Sequence, residues 1–210
     1  MKLKMLNYEQ KYYQSGYQFI VGTDEAGRGP LAGPLVAAAV ILPPTWQSEL
    51  INDSKKLSSK KREELFELIQ ANALAIAVSI IDPSEVDDLN VYRASQKAMI
   101  EAIKNINHRY DLIISDAMPL PNMDKPVEPL IKADAQVLCV AAASIIAKVT
   151  RDHIMDELAK QYPAYDFEHN KGYGTKKHLA ALHMYGPVRG LHRFSYQPVQ
   201  NARYEQLKLL

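Results

Sequence analysis

Four carboxylates stand where the character of the chain changes. Asp24 and Glu25 are consecutive and lead into Gly27-Arg28-Gly29. Asp116 closes a short apolar run and Asp134 opens a long one. Successive strand side chains point to opposite faces, so Asp24 and Glu25 serve one site only if the chain turns there, and Gly27 and Gly29 permit a turn. Carboxylates gathered together repel and raise one another's pKa unless cations intervene. With oxygen donors and no required His or Cys, the set suits Mg2+ or Mn2+ better than Zn2+. Two such ions about 4 Å apart can activate a water and stabilise a leaving 3′-oxygen in phosphodiester hydrolysis. Each carboxylate alone has a plainer role open to it: a solvated strand end for Asp24-Glu25, a turn ahead of Pro119 for Asp116, a helix cap for Asp134.

The elements that must position them can be read from the apolar pattern. Residues 17–23 form an expected strand that Asp24 closes, and residues 35–42 a second, ended by Pro43-Pro44 because proline removes ladder donors. Ser58 or Ser59 can cap a helix whose apolar residues are Leu65, Leu68 and Ile69. A strand over 74–81, a helix over 90–107, a buried parallel strand over 111–116 and a short strand over 127–131 follow. Asp134 begins a helix running to about residue 161, whose first half, VLCVAAASIIAKV, is apolar almost all round and therefore buried. Thr175 caps a further helix that Gly186-Pro187 stops. A hairpin that continues into parallel strands through helical crossovers gives an α/β fold: a mixed five-stranded sheet flanked by helices, with a helical C-terminal region. In such sheets sites form outside the carboxyl ends of strands, where the four carboxylates would meet. Residues 1–160 are the expected core and residues 161–210 an extension packed on it as one structural unit.

Composition narrows the setting. The 210 residues are 47% hydrophobic and 23% charged, as in ordinary globular proteins with one sizeable core. The lone cysteine, Cys139, excludes a disulfide within the chain and fits a reducing compartment. The start, MKLKMLNYEQ, has no long apolar stretch, so no signal peptide and no membrane span are expected, and a cytoplasmic address follows by elimination. From Lys148 onward ten Lys and Arg face six Asp and Glu, although the whole chain carries only +1. An acidic site in one part and a basic surface in the other suit cations and a polyanion, although two ordinary solvated surfaces would look the same.

Gly27-Arg28-Gly29-Pro30-Leu31-Ala32 also fits G-x-G-x-x-A, with Asp53 about where a ribose-binding acid belongs, which raises a dinucleotide-binding oxidoreductase. Three features oppose it. Asp24 and Glu25 would face the pyrophosphate, a strand follows where a helix is required, and Pro34 would interrupt that helix early. A non-catalytic module that binds duplexes is a third reading.

Taken in order, the motifs DEAGRGPLAGP (24–34), DSKKLS (53–58), SDA (115–117), KADA (132–135), AAASIIAKVTRD (141–152) and NKGYGT (170–175) resemble the bacterial ribonuclease HII family across nearly the whole chain. The resemblance implies a ribonuclease H-like fold, with Asp24, Glu25, Asp116 and Asp134 as catalytic, metal-binding carboxylates. It implies a nuclease of RNA/DNA hybrids and of ribonucleotide-containing duplex DNA, cutting 5′ of the ribonucleotide and leaving 3′-hydroxyl and 5′-phosphate ends, with a place in ribonucleotide excision repair. It assigns Gly27, Arg28, Gly29 and Tyr173 to the ribonucleotide, whose 2′-OH distinguishes RNA from DNA. Lys55, Lys56, Ser144, Lys148 and Lys171 are candidate phosphate contacts, which position a duplex without reading sequence. Type 3 relatives lack the Gly-Arg-Gly step. Two positions depart from the pattern: His192-Arg193-Phe194-Ser195-Tyr196 where relatives often have His-Arg-Arg-Ser-Phe, and Ala133 where they have glycine. The first puts the role of Arg193 in doubt. The tail Gln206-Leu207-Lys208-Leu209-Leu210 resembles a sliding-clamp binding motif with Leu210 for a final Phe, although a frayed tail would read alike. A monomer is expected.

Overall fold

The Val-, Ile- and Ala-rich runs of the first two thirds of the chain pair into a single five-stranded sheet. The computed structural model describes residues 4–46, 51 and 58–207, with the side chains of 4–7 and 205–207 excepted. The strands are β1 (Ile20–Ala26), β2 (Leu35–Ile41), β3 (Ala75–Ile81), β4 (Leu112–Asp116) and β5 (Val127–Leu130), in the order β3-β2-β1-β4-β5. β1 runs antiparallel to β2 and parallel to β4, which is parallel to β5. The helices are α1 (Lys4–Gln14), α2 (Ser59–Asn72), α3 (Pro83–Leu89), α4 (Val91–Lys104), α5 (Leu138–Gln161), α6 (Phe167–Asn170), α7 (Lys176–Tyr185) and α8 (Gln197–Leu207). No helix among the described residues is long and apolar enough to cross a membrane.

Two compact units emerge, each assembled from separate stretches. One is drawn from Met1–Ala26, Val36–Ser79 and Gln96–Val149, the other from Gly27–Leu35, Ile80–Ser95 and Thr150–Leu210. The first is built on the sheet. Ile20, Val21, Ile113 and Ile114 are buried, as are Val140, Ala141, Ala142, Ala143, Ile145 and Ile146 of α5, as the apolar-all-round pattern of that helix requires. Small residues let α5 approach closely. A Cβ built on Gly22 of β1 would lie 2.4 Å from the backbone of Cys139 and Val140. The second unit has its own core of Leu31, Met155, Tyr165, Phe167, Leu182, Leu191 and Val199.

The start of α5 draws its cap from far away in sequence. Glu9 of α1 is buried and its carboxylate accepts the Cys139 N–H at 3.0 Å, one of the four orphan donors of the helix start. Burial raises the Glu9 pKa, with the hydrogen bonds at the helix start opposing. Burial also pushes the Cys139 thiol up, so the only cysteine is an inert apolar residue.

Ser58 caps α2 by accepting the Lys61 N–H, and Thr175 caps α7 by accepting the His178 N–H, as the sequence predicts. Elsewhere the boundaries move. The first strand does not end before Asp24: it runs through Asp24 and Glu25, whose backbones pair with Ala38 and Ala37. The long helix starts at Leu138, because residues 133–135 form a separate 3-10 turn entered through Lys132 in the left-handed region, at φ +58°. The helix over 90–107 is α4, shorter at both ends, and α3 precedes it. The strand β2 directly follows the glycine segment, so the helix a dinucleotide fold requires is absent there.

Gly22 carries the sharpest stability expectation. Gly22→Ala drives a methyl into backbone that cannot move without displacing α5. It should lower unfolding free energy by on the order of 3 kcal/mol or more, read as the urea midpoint at constant m.

Candidate active site

Register brings the first two carboxylates side by side. The parallel ladder of β1 and β4 ends at Thr23 opposite Ser115, so the next residue on each strand is Asp24 and Asp116, at adjacent carboxyl ends. Asp116 then recruits the third. Its carboxylate accepts the Ala133 N–H at 2.9 Å, capping the 3-10 turn that presents Asp134. β5 delivers the chain to that turn, and the Ala117 N–H donates to the Leu130 carbonyl at 3.0 Å. Carboxylate oxygens of Asp24, Asp116 and Asp134 lie within 4.8 Å of one another, with Asp24 and Asp134 buried.

The electrostatics are those of buried carboxylates crowded together. Burial pushes the Asp24 carboxyl well above the usual carboxylate range, and the charges of Glu25 and then Asp116 push it the same way. Opposing them, the Ser144 hydroxyl of α5 and the Glu25 N–H, at 2.8 Å, hydrogen-bond the Asp24 carboxylate. Three hard oxygen donors from three elements, with Asp24 and Asp116 oriented by backbone and hydroxyl donors, fit a divalent ion of the Mg2+ or Mn2+ type. Glu25, the next residue of β1, is half-buried and stands outside the triad, acting on Asp24 through its charge.

The remaining residues singled out by sequence fall in several places. Ser144 is buried on Asp24, and Lys148, one turn further along α5, is half-buried. Lys55 and Lys56, like Asp53, lie outside the described residues, as do Lys208, Leu209 and Leu210 of the tail. Gly27, Arg28, Gly29, Tyr173 and Lys171 belong to the second unit. There Lys171 pairs with Asp156.

Within that unit the glycine segment is stitched along both edges. On one side the Leu31 N–H donates to the Gly172 carbonyl at 2.8 Å. On the other, the Gly33 N–H donates to Leu191 and the Arg193 N–H to Leu31, each at 2.8 Å. Gly27 has φ +101°, and a Cβ there would strike the Arg151 side chain and the Pro34 carbonyl. A Cβ on Gly29 would lie 3.4 Å from the Tyr173 ring, which is 46% exposed.

Sequence reasoning missed what holds this loop from beneath. Arg151 and Arg193 are buried, at 1% and 0% exposure. Arg151 donates to the carbonyls of Pro34, Lys171 and Ala32, and burial lowers its pKa to about 10. Arg193 donates to the carbonyls of Arg28 and Gly33, and the Tyr196 hydroxyl also donates to Arg28. The doubt over Arg193 is thereby resolved in structural terms: it holds the loop backbone from inside. A trans peptide sets its C=O and N–H on opposite sides, so fixing the Arg28 carbonyl inward turns the Gly29 N–H outward. The exposed Arg28 and Tyr173 were legible as motif residues. The buried arginines gave no separate signal, since a sequence does not distinguish a buried cation from a surface one.

The model of the ribonuclease HII family matches residues 21–199. Ribonuclease HII of Geobacillus sp. (strain WCH70) is 49% identical over 197 residues, covering 94% of this chain and 70% of that protein. Among solved structures, ribonuclease H2 from Pyrococcus horikoshii OT3 aligns with a TM-score of 0.76 at 25% identity, over 90% of this chain and 98% of that one. RNase HII in its complex with PCNA from Archaeoglobus fulgidus aligns at 0.69 and 26% identity, over 85% and 95%. Bst-RNase HIII in complex with Mn2+ aligns at 0.70 and 19% identity, over 89% and 70%, a likeness of fold.

The Asp24 environment has a measurable cost. With its folded-state pKa raised, the folded protein keeps a proton that the unfolded chain releases, so this residue costs stability as pH climbs from about 4 toward the raised value. Asp24→Asn removes the cost. In chelator the variant should melt higher than the wild type at pH 8, by on the order of a few degrees, with the gap closing toward pH 4. Mg2+ or Mn2+ should raise the melting temperature of the wild type more than that of the variant. Calorimetry with and without each ion reads both.

Proposed function

The chain belongs to the ribonuclease HII family, the type 2 ribonucleases H that cleave the RNA of RNA/DNA hybrids, and from that premise we propose that it also nicks duplex DNA 5′ of a single embedded ribonucleotide. The observation that carries the reading is the convergence of the Asp24, Asp116 and Asp134 oxygens within 4.8 Å. Asp24, Glu25, Asp116 and Asp134 would hold Mg2+ or Mn2+, two ions during catalysis. When bound, the ions supply an activated water and neutralise charge building on the scissile phosphate, leaving 3′-hydroxyl and 5′-phosphate ends. The protein keeps the carboxylates aimed before substrate arrives. Ser144 and the Glu25 amide orient Asp24, and the Ala133 amide orients Asp116, so little reorganisation is needed at the moment of reaction.

Sugar reading falls to the second unit. The outward Gly29 N–H and the exposed Arg28 side chain can approach a sugar edge, and the 2′-OH can both donate and accept. The Tyr173 ring, exposed beside Gly29, would pack on the deoxyribose that follows and disfavour a second 2′-OH. Lys55, Lys56, Lys148 and Lys171 are the proposed phosphate contacts, and Ser144, proposed with them, would serve there only by turning its one hydroxyl proton away from Asp24. Residues 206–210 are the proposed sliding-clamp contact, a reading supported by the Archaeoglobus fulgidus relative solved with PCNA.

A labelled duplex with one ribonucleotide, resolved on a gel, tests the proposal. The protein should nick it only when Mg2+ or Mn2+ is present. Asp134→Asn should lower the rate by a factor on the order of a thousand or more while circular dichroism stays unchanged. Tyr173→Ala should reduce kcat/KM on this substrate by about tenfold more than on a long hybrid. Equal cutting of all-DNA duplex would end the sugar-reading role. Truncation after Glu205 should abolish binding to the bacterial clamp in a pull-down, and undiminished binding would remove that contact.

A further inference from the structure

Beneath the Tyr173 loop lie two histidines that no part of the nuclease reading uses. His178 of α7 and His192 are 0% and 1% exposed, and their Nε2 atoms are 3.1 Å apart. The pair sits among rings: Tyr165 and Phe167 lie 5.2 to 6.1 Å from that of His178 and 4.9 to 6.0 Å from that of His192, centroid to centroid. Its outer nitrogens are engaged as well. The Val188 N–H donates to His192 Nδ1 at 3.0 Å, and His178 Nδ1 lies 3.0 Å from the Tyr173 carbonyl oxygen.

These four groups admit one proton arrangement. A backbone N–H can only donate, so His192 Nδ1 must offer its lone pair and a neutral His192 carries its proton on Nε2. That proton points at His178 Nε2, which must accept it. The His178 proton is then on Nδ1, where it donates to the Tyr173 carbonyl, which can only accept. Protonating either ring sets two donors face to face at one of the contacts. Burial favours the neutral state: it pushes His192 down to about 4, with His178 adding to the effect, and it lowers His178 too.

The chain of bonds closes a ring of contacts around the glycine segment. His192 bridges Ala32 through its backbone, and Gly172 accepts from Leu31. The histidines join those two edges from below, between the strand-like 191–193 segment and the loop that ends in Tyr173. We infer that His178 and His192 are positioning residues for sugar discrimination, a neutral, directional pair that fixes the Tyr173 backbone and so the place of its ring over Gly29. The inference rests on the reading of Tyr173 given above.

The test compares kcat/KM on a single-ribonucleotide duplex with kcat/KM on a long hybrid, as a ratio, for wild type, Tyr173→Ala, His178→Phe and His178→Asn. His178→Phe keeps the ring volume and removes both hydrogen bonds. It should lower the ratio by roughly tenfold or more, as a small misplacement of a substrate-positioning group does. His178→Asn, whose side-chain amide still donates near the Nδ1 position, should restore part of the ratio. A second readout is 15N NMR of histidine-labelled wild-type protein at neutral pH, with the proton expected on Nε2 of His192 and Nδ1 of His178. Three results would overturn the inference: a ratio unmoved in His178→Phe while Tyr173→Ala lowers it, an Asn variant no better than Phe, or rings in other tautomers or charged. If Tyr173→Ala itself leaves the ratio unmoved, the reading of Tyr173 fails and the inference falls with it.

Discussion

Like charges crowded at the carboxyl ends of two neighbouring parallel strands are the constraint around which the first unit is organised. Asp24 and Asp116 are neighbours because the ladder of β1 and β4 stops one residue earlier, and Asp134 joins them on the turn that Asp116 itself caps. Burial makes the arrangement more costly, since a desolvated carboxylate loses hydration that its neighbours cannot replace. Such a cluster suits a divalent cation, whose charge would offset that cost.

The surrounding fold serves to hold that cluster at fixed spacing. β2 is buried along its whole length and gives β1 a rigid neighbour on its other edge. Gly22 lets the backbone of α5 come close enough to β1 for Ser144 to meet Asp24 two residues further on. The first turn of α5 is in turn satisfied by Glu9 from α1, a buried carboxylate that no metal requires. Acidic groups in this unit therefore play two parts. Glu9 takes the place of a missing cap, and the triad forms a cluster that could hold a metal ion.

Much of this was legible in the sequence where local chemistry is self-sufficient. The apolar strands, the Ser58 and Thr175 caps and the all-round apolar half of α5 obey rules that a few neighbouring residues satisfy alone. The errors lie where distant partners decide. Asp24 and Glu25 read as a strand terminus, yet the backbone of β2 extends the ladder through them. Asp134 read as the first residue of a helix, yet the Asp116 carboxylate takes the Ala133 N–H and diverts the chain into a 3-10 turn. Among its described side chains α8 buries Val199 and Ala202 alone, so it shows little of the periodicity that marks an amphipathic helix, and in α1 the buried Glu9 reads in sequence like any surface acid.

The second unit handles buried charge in the opposite way. Arg151 and Arg193 donate mainly to peptide carbonyls, with Arg193 Nε left unpartnered, and the charges of Asp152 and of Asp87 favour their protonated forms. A carbonyl offers a partial charge and a fixed direction, so each bond to a guanidinium specifies the orientation of one peptide. For the glycine segment, which has few side chains to pack, this is a way to gain rigidity without bulk. An apolar core of equal volume would leave those carbonyls unpaired, at the cost of a lost hydrogen bond for each. Where orientation rather than charge is needed, at the Tyr173 carbonyl, the unit uses a neutral histidine instead, which donates in one direction and adds no net charge to the interior. The division lies in the groups themselves: carboxylates crowd at the strand ends of the sheet, whereas the glycine segment is held by hydrogen bonds from buried guanidinium groups.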